Sequence, residues 1–499
     1  MNSLPNFRTL VASAMTMLLL FLASCSSNEI RSDRRAELLG MIDKNALIIG
    51  AVDPAAVLKS AGAKVDGGEI VLPDNFKRMA NNGNKAVSAL MELTSAKGVD
   101  YYNIVFSASA DDYSVVFALT NPDKFVSWAG DKGMAEETVG QFRVLTEKDG
   151  DVAVVVDKDI AWLIVEPESA ADAAQKVNAK AKAASEKSMP LWMKDCLSKG
   201  DAAVVYDIVG ASQIMMKELK QIGMDNSSLY NPECKYCAFV CTFDGPSLKI
   251  SGNAYSADGK VADMLPEGTY ETISTKALSL IKDEQLAFAF SLPDNLKKFY
   301  ASLMNQQGLM NYNTDYAVAL ASSLDAIKSI SFGASLRQGS SIATFKPTDI
   351  VATAAVEYDK AASEATAEKW IALAKKGGME TAIANGWKAW NEDSTFVIAP
   401  VAQYPDFKIN FTGRDGLALV STEASIGKTE IRPDASLDNL TAFFSVDLRK
   451  DNPILQIVAC PFGIKIYGKS DKDSYMCDFT LTDCDGLFLE SIINYVSRF

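Results

Sequence analysis

The sequence predicts an α+β protein of two tandem related modules, each a mainly antiparallel sheet with helices packed on one face. Three observations predict it. A strand, turn and helix unit recurs along the chain, hairpin turns too short for a crossover join neighbouring strands, and matched segments repeat at a constant interval.

The elements follow in chain order. Arg8 precedes an apolar run from Leu10 to Leu22 that closes on Leu22-Ala23-Ser24-Cys25. A run of about 13 residues falls short of the roughly 20 that span a bilayer. Its charged start and small-residue exit mark a secretory signal. Small residues ahead of a cysteine are what bacterial signal peptidase II requires once the thiol carries diacylglycerol. Residues 1–24 therefore read as a lipoprotein signal peptide and Cys25 as the lipidation site. Two or three acyl chains there would anchor the chain stably, where one gives only marginal binding. Ser26-Ser27-Asn28 opens a polar stretch, so 25–44 reads as lipidated cysteine and tether.

In LIIGAVDPAAVLKSAG, from Leu47 to Gly62, an apolar strand ends at Asp53-Pro54, where proline suits a first helical turn. Comparable units begin at Tyr113, Ile160, Ala203, Leu286 and Val351. NALIIGAVDP at Asn45 matches EQLAFAFSLP at Glu284, and DAAVVYDIVG at Asp201 matches LTAFFSVDLR at Leu440, both 239 positions apart. Between them, FALTNPDK ending at Lys124 precedes TAAVEYDK ending at Lys360 by 236. SLKISG at Ser247 resembles GIKIYG at Gly463. These matches place module one at 45–270 and module two at 271–499. Within module one, DYYNIVFSASADDYSVVFAL reads as two strands around Ala110-Asp111-Asp112. FRVLTEKDGDVAVVVDKDIAWLIV reads as a meander turning at Lys148-Asp149-Gly150 and Asp157-Lys158-Asp159.

The lipobox, the polar tether, the opening strand-Asp-Pro-helix unit with Leu58-Lys59-Ser60-Ala61-Gly62, and the alternating units resemble the Bacteroidetes lipoproteins of the 4836 domain-of-unknown-function family. The resemblance covers nearly the whole mature chain and implies a cell-envelope protein, on the outer membrane in preference to the inner. It implies no activity. Surface export in such bacteria goes with acidic residues just after the cysteine, and here only Glu29 follows closely, so the periplasmic and surface faces both stay open.

Composition narrows the chemistry. The chain has 499 residues, a net charge of −14 and no histidine. Net negative charge disfavours nucleic acid and acidic headgroups as partners. Without histidine there is no Ser-His or Cys-His nucleophile pair, no His-ligated zinc and no haem-attaching motif. No cofactor or metal is expected.

The most chemical-looking phrase is ECKYCAFVC, from Glu233 to Cys241. It continues through Phe243 into an Asp244-Gly245-Pro246 turn and reads as the first strand of a hairpin. On a strand, Cys237, Phe239, Cys241 and Phe243 share a face, and Cys237 and Cys241 lie roughly 13 Å apart, too far to share a metal. Buried free thiols, or a disulfide among Cys196, Cys234 and Cys237, are the readings left. Trp387 and Trp390 are candidates for ligand stacking. Gly427-Lys428-Thr429 ends like a phosphate loop, but Thr422 stands where that motif needs its first glycine.

No catalytic constellation emerges. The expectation is a lipid-anchored envelope protein, joined to the membrane through its N-terminal lipid and acting non-catalytically in binding, assembly or scaffolding with a protein or glycan partner. The alternative is a histidine-free glycan hydrolase using Asp and Glu carboxylates.

Overall fold

The computed structural model describes residues 31–66, 69–81, 91, 94–109, 112–147, 152–186, 188–211, 231, 233–263, 271–294, 297, 326–337, 346–359, 372, 387–392, 395–400, 406–427, 430–447, 461–471 and 473–498. The chain is α+β, and the strand pairings described within each unit are antiparallel. Backbone contacts divide it into two units: the described residues of Met1–Ile214, Glu233–Ala262 and Cys484–Phe499, and those of Met215–Pro232 and Asp263–Asp483. The C-terminal segment thus packs with the first unit, whereas the matched segments had assigned it to the second module.

In the first unit the strands are β1 (Ile48–Val52), β2 (Lys64–Asp66), β3 (Glu69–Val71), β4 (Val99–Ala108), β5 (Tyr113–Leu119) and β6 (Ala135–Val139). They continue with β7 (Phe142–Thr146), β8 (Val152–Asp157), β9 (Ile160–Val165), β10 (Ala202–Asp207), β11 (Tyr236–Asp244) and β12 (Ser247–Tyr255). Apart from the small β2–β3 hairpin, they form one sheet in the order β12-β11-β10-β1-β4-β5-β9-β8-β7-β6.

The helices are α1 (Arg31–Leu39), α2 (Pro54–Ser60), α3 (Asp74–Asn81), α4 (Pro122–Asp131), α5 (Ala170–Glu186) and α6 (Leu191–Leu197). Two of them start as their sequences dictate. Asp53 caps α2 by accepting from Ala56 N at 2.7 Å, and Asn121 caps α4 by accepting from Lys124 N at 3.0 Å. In both, proline takes the first helical position.

The expectation of helices on one sheet face does not hold for this unit. Helices α1, α5 and α6 pack with Val116, Val155, Trp162 and Val205 on one face. Helices α2 and α4 pack with Val154, Val156 and Ala161 on the other. The run VAVVVD of β8 is buried at four consecutive positions, which a strand covered on one side only does not permit.

The reading of 25–44 as a polar tether is corrected from Arg31 onward. Within RSDRRAELLGMI, positions 35, 38, 39 and 42 fall at helical spacing and all are buried; Leu38 and Leu39 are at 0% exposure. The polar stretch looked unpatterned because the first of the four buried positions is an arginine. Its guanidinium donates from Nη1 to the Leu197 carbonyl at 3.4 Å, at the C-terminal end of α6, where helix dipole and orphan carbonyls favour a cation.

The second unit contains α7 (Thr275–Ile281) and strands β13 (Leu286–Ser291), β14 (Ile327–Leu336), β15 (Ile350–Tyr358), β16 (Trp387–Glu392) and β17 (Thr395–Pro400). It continues with β18 (Ile409–Arg414), β19 (Leu417–Ser421), β20 (Ala442–Asp447), β21 (Gly463–Ser470) and β22 (Ser474–Thr482). Their order is β22-β21-β20-β13-β14-β15-β19-β18-β17-β16. The final helix of the chain, α8 (Phe488–Val496), belongs to the first unit.

Helix α7 lies over a floor of small residues on β13 to β15. A Cβ on Gly333 would stand 2.8 Å from Ile281 Cβ, so glycine permits that approach. Serine hydroxyls hold both ends of this helix: Ser329 accepts from Ser274 N at 3.3 Å and Ser335 from Gln285 N at 2.8 Å. Ser329 also donates to Glu357, and Ser335 to Glu284. Burial pushes both carboxyls above the usual range, and the serine bonds oppose that shift.

The match of SLKISG with GIKIYG is also corrected. The first lies on β12, separated from β10 by β11, and the second on β21, directly beside β20. Both are alternating strands ending in glycine, and only the strand order tells them apart. The helices expected after β10 and after β15 fall largely outside the described residues.

Candidate functional site

The cysteine-rich phrase folds as a hairpin. Strand β11 pairs with β12 from Tyr236 opposite Tyr255 to Asp244 opposite Ser247, and Gly245 takes the positive φ of 55° that the tight turn needs. Tyr236, Ala238 and Val240 face α6, so Cys237, Phe239, Cys241 and Phe243 face the other way. Phe243 meets Phe488 of α8 on that side, with ring centroids 6.2 Å apart.

Facing α6, Trp192 stacks on Tyr255 at 4.2 Å and lies 5.5 Å from Tyr236. The Tyr255 hydroxyl is 3.3 Å from Cys196 Sγ. Burial, then the Cys196 contact, raises the phenol's pKa. Spacing along the chain does not show this cluster, because Trp192 and Tyr255 come from elements far apart in sequence.

The disulfide weighed among Cys196, Cys234 and Cys237 is not formed; all three are free, as are Cys241, Cys477 and Cys484. Cys196 and Cys237 lie on opposite faces of the sheet. Cys234 and Cys237 share a thiol hydrogen bond that lowers the pKa of Cys234, while the same bond and burial raise that of Cys237. Burial, helped by the Asp201 carboxylate, pushes Cys241 up to about 11. Cys234 is the thiol most inclined to ionise in this group, yet it is completely buried. A nucleophilic cysteine needs both a thiolate and access, so the arrangement behaves as core. Among the described residues, no three of His, Cys, Asp or Glu converge as metal ligands.

Trp390 sits on β16 in the second unit, with Lys388 Nζ 5.1 Å and Lys408 Nζ 5.6 Å from its ring centroid. Its Nε1 points to Glu392 Oε2 at 3.4 Å. Two of the chain's own cations thus lie within cation–π distance of this ring. Trp387 opens the same strand opposite Pro400; its side chain, like Cys25 and Cys460, lies outside the described residues.

No family model and no curated protein matches this chain. Among solved structures, crystal form III of TP0453 is similar over 45% of this chain and 81% of its own, at 12% identity and TM-score 0.29. Crystal form IV is similar over 44% and 79%, at 12% identity and TM-score 0.28. Scores this low constrain neither fold nor function.

Proposed function

We propose that this chain is an exported lipoprotein of the bacterial cell envelope, anchored through acyl chains on Cys25. We further propose that it carries two copies of one ten-stranded module and acts in binding, assembly or scaffolding rather than catalysis. The observation that carries the anchor is the apolar run ending in Leu22-Ala23-Ser24-Cys25. The buried thiol of Cys237 and the partly buried thiol of Cys241, both with raised pKa values, and the two lysines beside the Trp390 ring fit a role in contact rather than chemistry.

Duplication is supported by strand order. Reading β1, β4, β5, β6 to β12 against β13 to β22 reproduces the same sequence of neighbours in each unit. Register agrees at the first pair. Gly50 faces Val204 in the first unit, and Ala289 faces Phe443 in the second, each 239 positions later. Further along, Val115 and Ala355 take equivalent places opposite Leu163 and Leu419, an interval of 240 rather than the 236 read from FALTNPDK.

The test is Cys25→Ala followed by cell fractionation. The wild-type protein is expected in the detergent-soluble membrane fraction and the variant in the aqueous one. A variant that stays with the membrane contradicts the anchor.

A further inference from the structure

We infer that the lipid on Cys25 holds the first unit with one end of its sheet toward the bilayer, the end formed by the Lys158-Asp159 turn, the start of α4 and the Asp244-Gly245 turn. The inference rests on the lipidation reading above and adds the surface that meets the membrane.

Residues 26–30 are all that separates Cys25 from Arg31, the first residue of α1. A chain that short spans at most about 20 Å even when fully extended. Helix α1 cannot lengthen the leash without cost, because unwinding it would expose Leu38 and Leu39. Its first turn is fixed to a particular place. Arg34 Nη2 lies 2.7 Å from Asp159 Oδ2 and donates to the Asp159 carbonyl at 3.0 Å. That carbonyl also accepts from Leu119 N at 2.8 Å, which brings the start of α4 to the same end.

The chain then runs away from this end. Lys44, following α1, donates to the Ser188 carbonyl just ahead of α6. Register gives the two levels of the sheet: Val52, Ala202 and Cys241 are aligned at the near end, and Ile48, Tyr206, Cys237 and Ala254 toward the far end. Four residue steps along these strands put the far end roughly 13 Å beyond the near one.

Carboxylates at the near end are already paired within the unit: Asp159 with Arg34 at 2.7 Å, Asp244 with Lys249 at 2.6 Å and Asp123 with Arg143 at 2.7 Å. The short tether sets the orientation. The far end carries the exposed Leu191 (74%), beside Trp192, and Val261 (52%), which bridges to Tyr255. These apolar side chains are held off the bilayer, facing the compartment.

The experiment uses the full-length lipidated protein in phosphatidylethanolamine and phosphatidylglycerol vesicles bearing a rhodamine-labelled lipid acceptor. A donor dye is attached through an azide-bearing residue placed at Lys124 (near end) or Leu191 (far end), which spares the native thiols; both side chains are exposed. Energy transfer from position 124 is expected to exceed that from 191 by about twofold, given the separation along the strands. Inserting about 20 Gly/Ser residues after Asn28 should abolish the difference, since the longer leash reaches past the unit. Equal transfer at native tether length, or stronger transfer from 191, overturns the orientation. A protein mass without acyl chains overturns the lipidation reading instead.

Discussion

Leu38→Ala is expected to destabilise the first unit by about 2–5 kcal/mol, the range for truncating a fully buried leucine into a poorly collapsing cavity. Leu38 and Leu39 are at 0% exposure and pack with Ile49, Ala51 and Val116 beneath α1. If 25–44 were only a tether, the same change would cost nothing. Leu191→Ala is the control, because that side chain is 74% exposed and its loss should stay within about 0.5 kcal/mol. Hydrogen exchange followed by mass spectrometry reads each unit separately, which matters because a two-unit chain need not unfold in one step. Faster exchange in β1, β4 and β5 for Leu38→Ala alone is the expected result; unchanged exchange there contradicts the packing of α1.

Gly98→Ala is expected to cost about 3 kcal/mol or more, because two penalties coincide. Gly98 has φ +77°, where a Cβ is strained, and that Cβ would fall 2.2 Å from the Asn121 carbonyl oxygen. The obstacle is backbone, and it cannot swing aside: Asn121 caps α4, and the Gly98 carbonyl accepts from Thr120 N and Asn121 N. Gly133→Ala separates the two terms. Gly133 has φ +89° with nothing within 4 Å of a built Cβ, so only the conformational cost of about 1–2 kcal/mol applies. Denaturant unfolding of both variants should show Gly98→Ala the more damaging by at least about 1 kcal/mol. Equal losses would mean that the contact with Asn121 is not rigid.

How much was legible depended on sequence distance. The hairpins β4–β5 and β11–β12 and the meander β7–β9 could be read because short turns join them and each turn fixes its own pairing. Strands β1 and β10 are direct neighbours, as are β13 and β20, so a single pairing fixes the register of each pair. Coverage on both faces was present in the unbroken apolar run of β8, but a short apolar run does not distinguish a doubly buried strand from other core elements. Helix α1 was obscured by its charges, since a buried arginine at Arg35 breaks the apolar stripe that marks an amphipathic helix. The aromatic cluster of Trp192, Tyr236 and Tyr255 is a product of tertiary packing, and no local spacing announces it. The cysteine phrase could be read as a strand, but the separation of Cys196 from Cys237 by the sheet itself required the pairing with β10 and β12.

The most direct test of the anchored reading is the intact mass of the protein purified from its native membranes. The account predicts a chain that begins at Cys25 and carries the added mass of two or three acyl chains, released as a lipopeptide on proteolysis. A mature chain that begins elsewhere, or an unmodified Cys25 at its start, would contradict it.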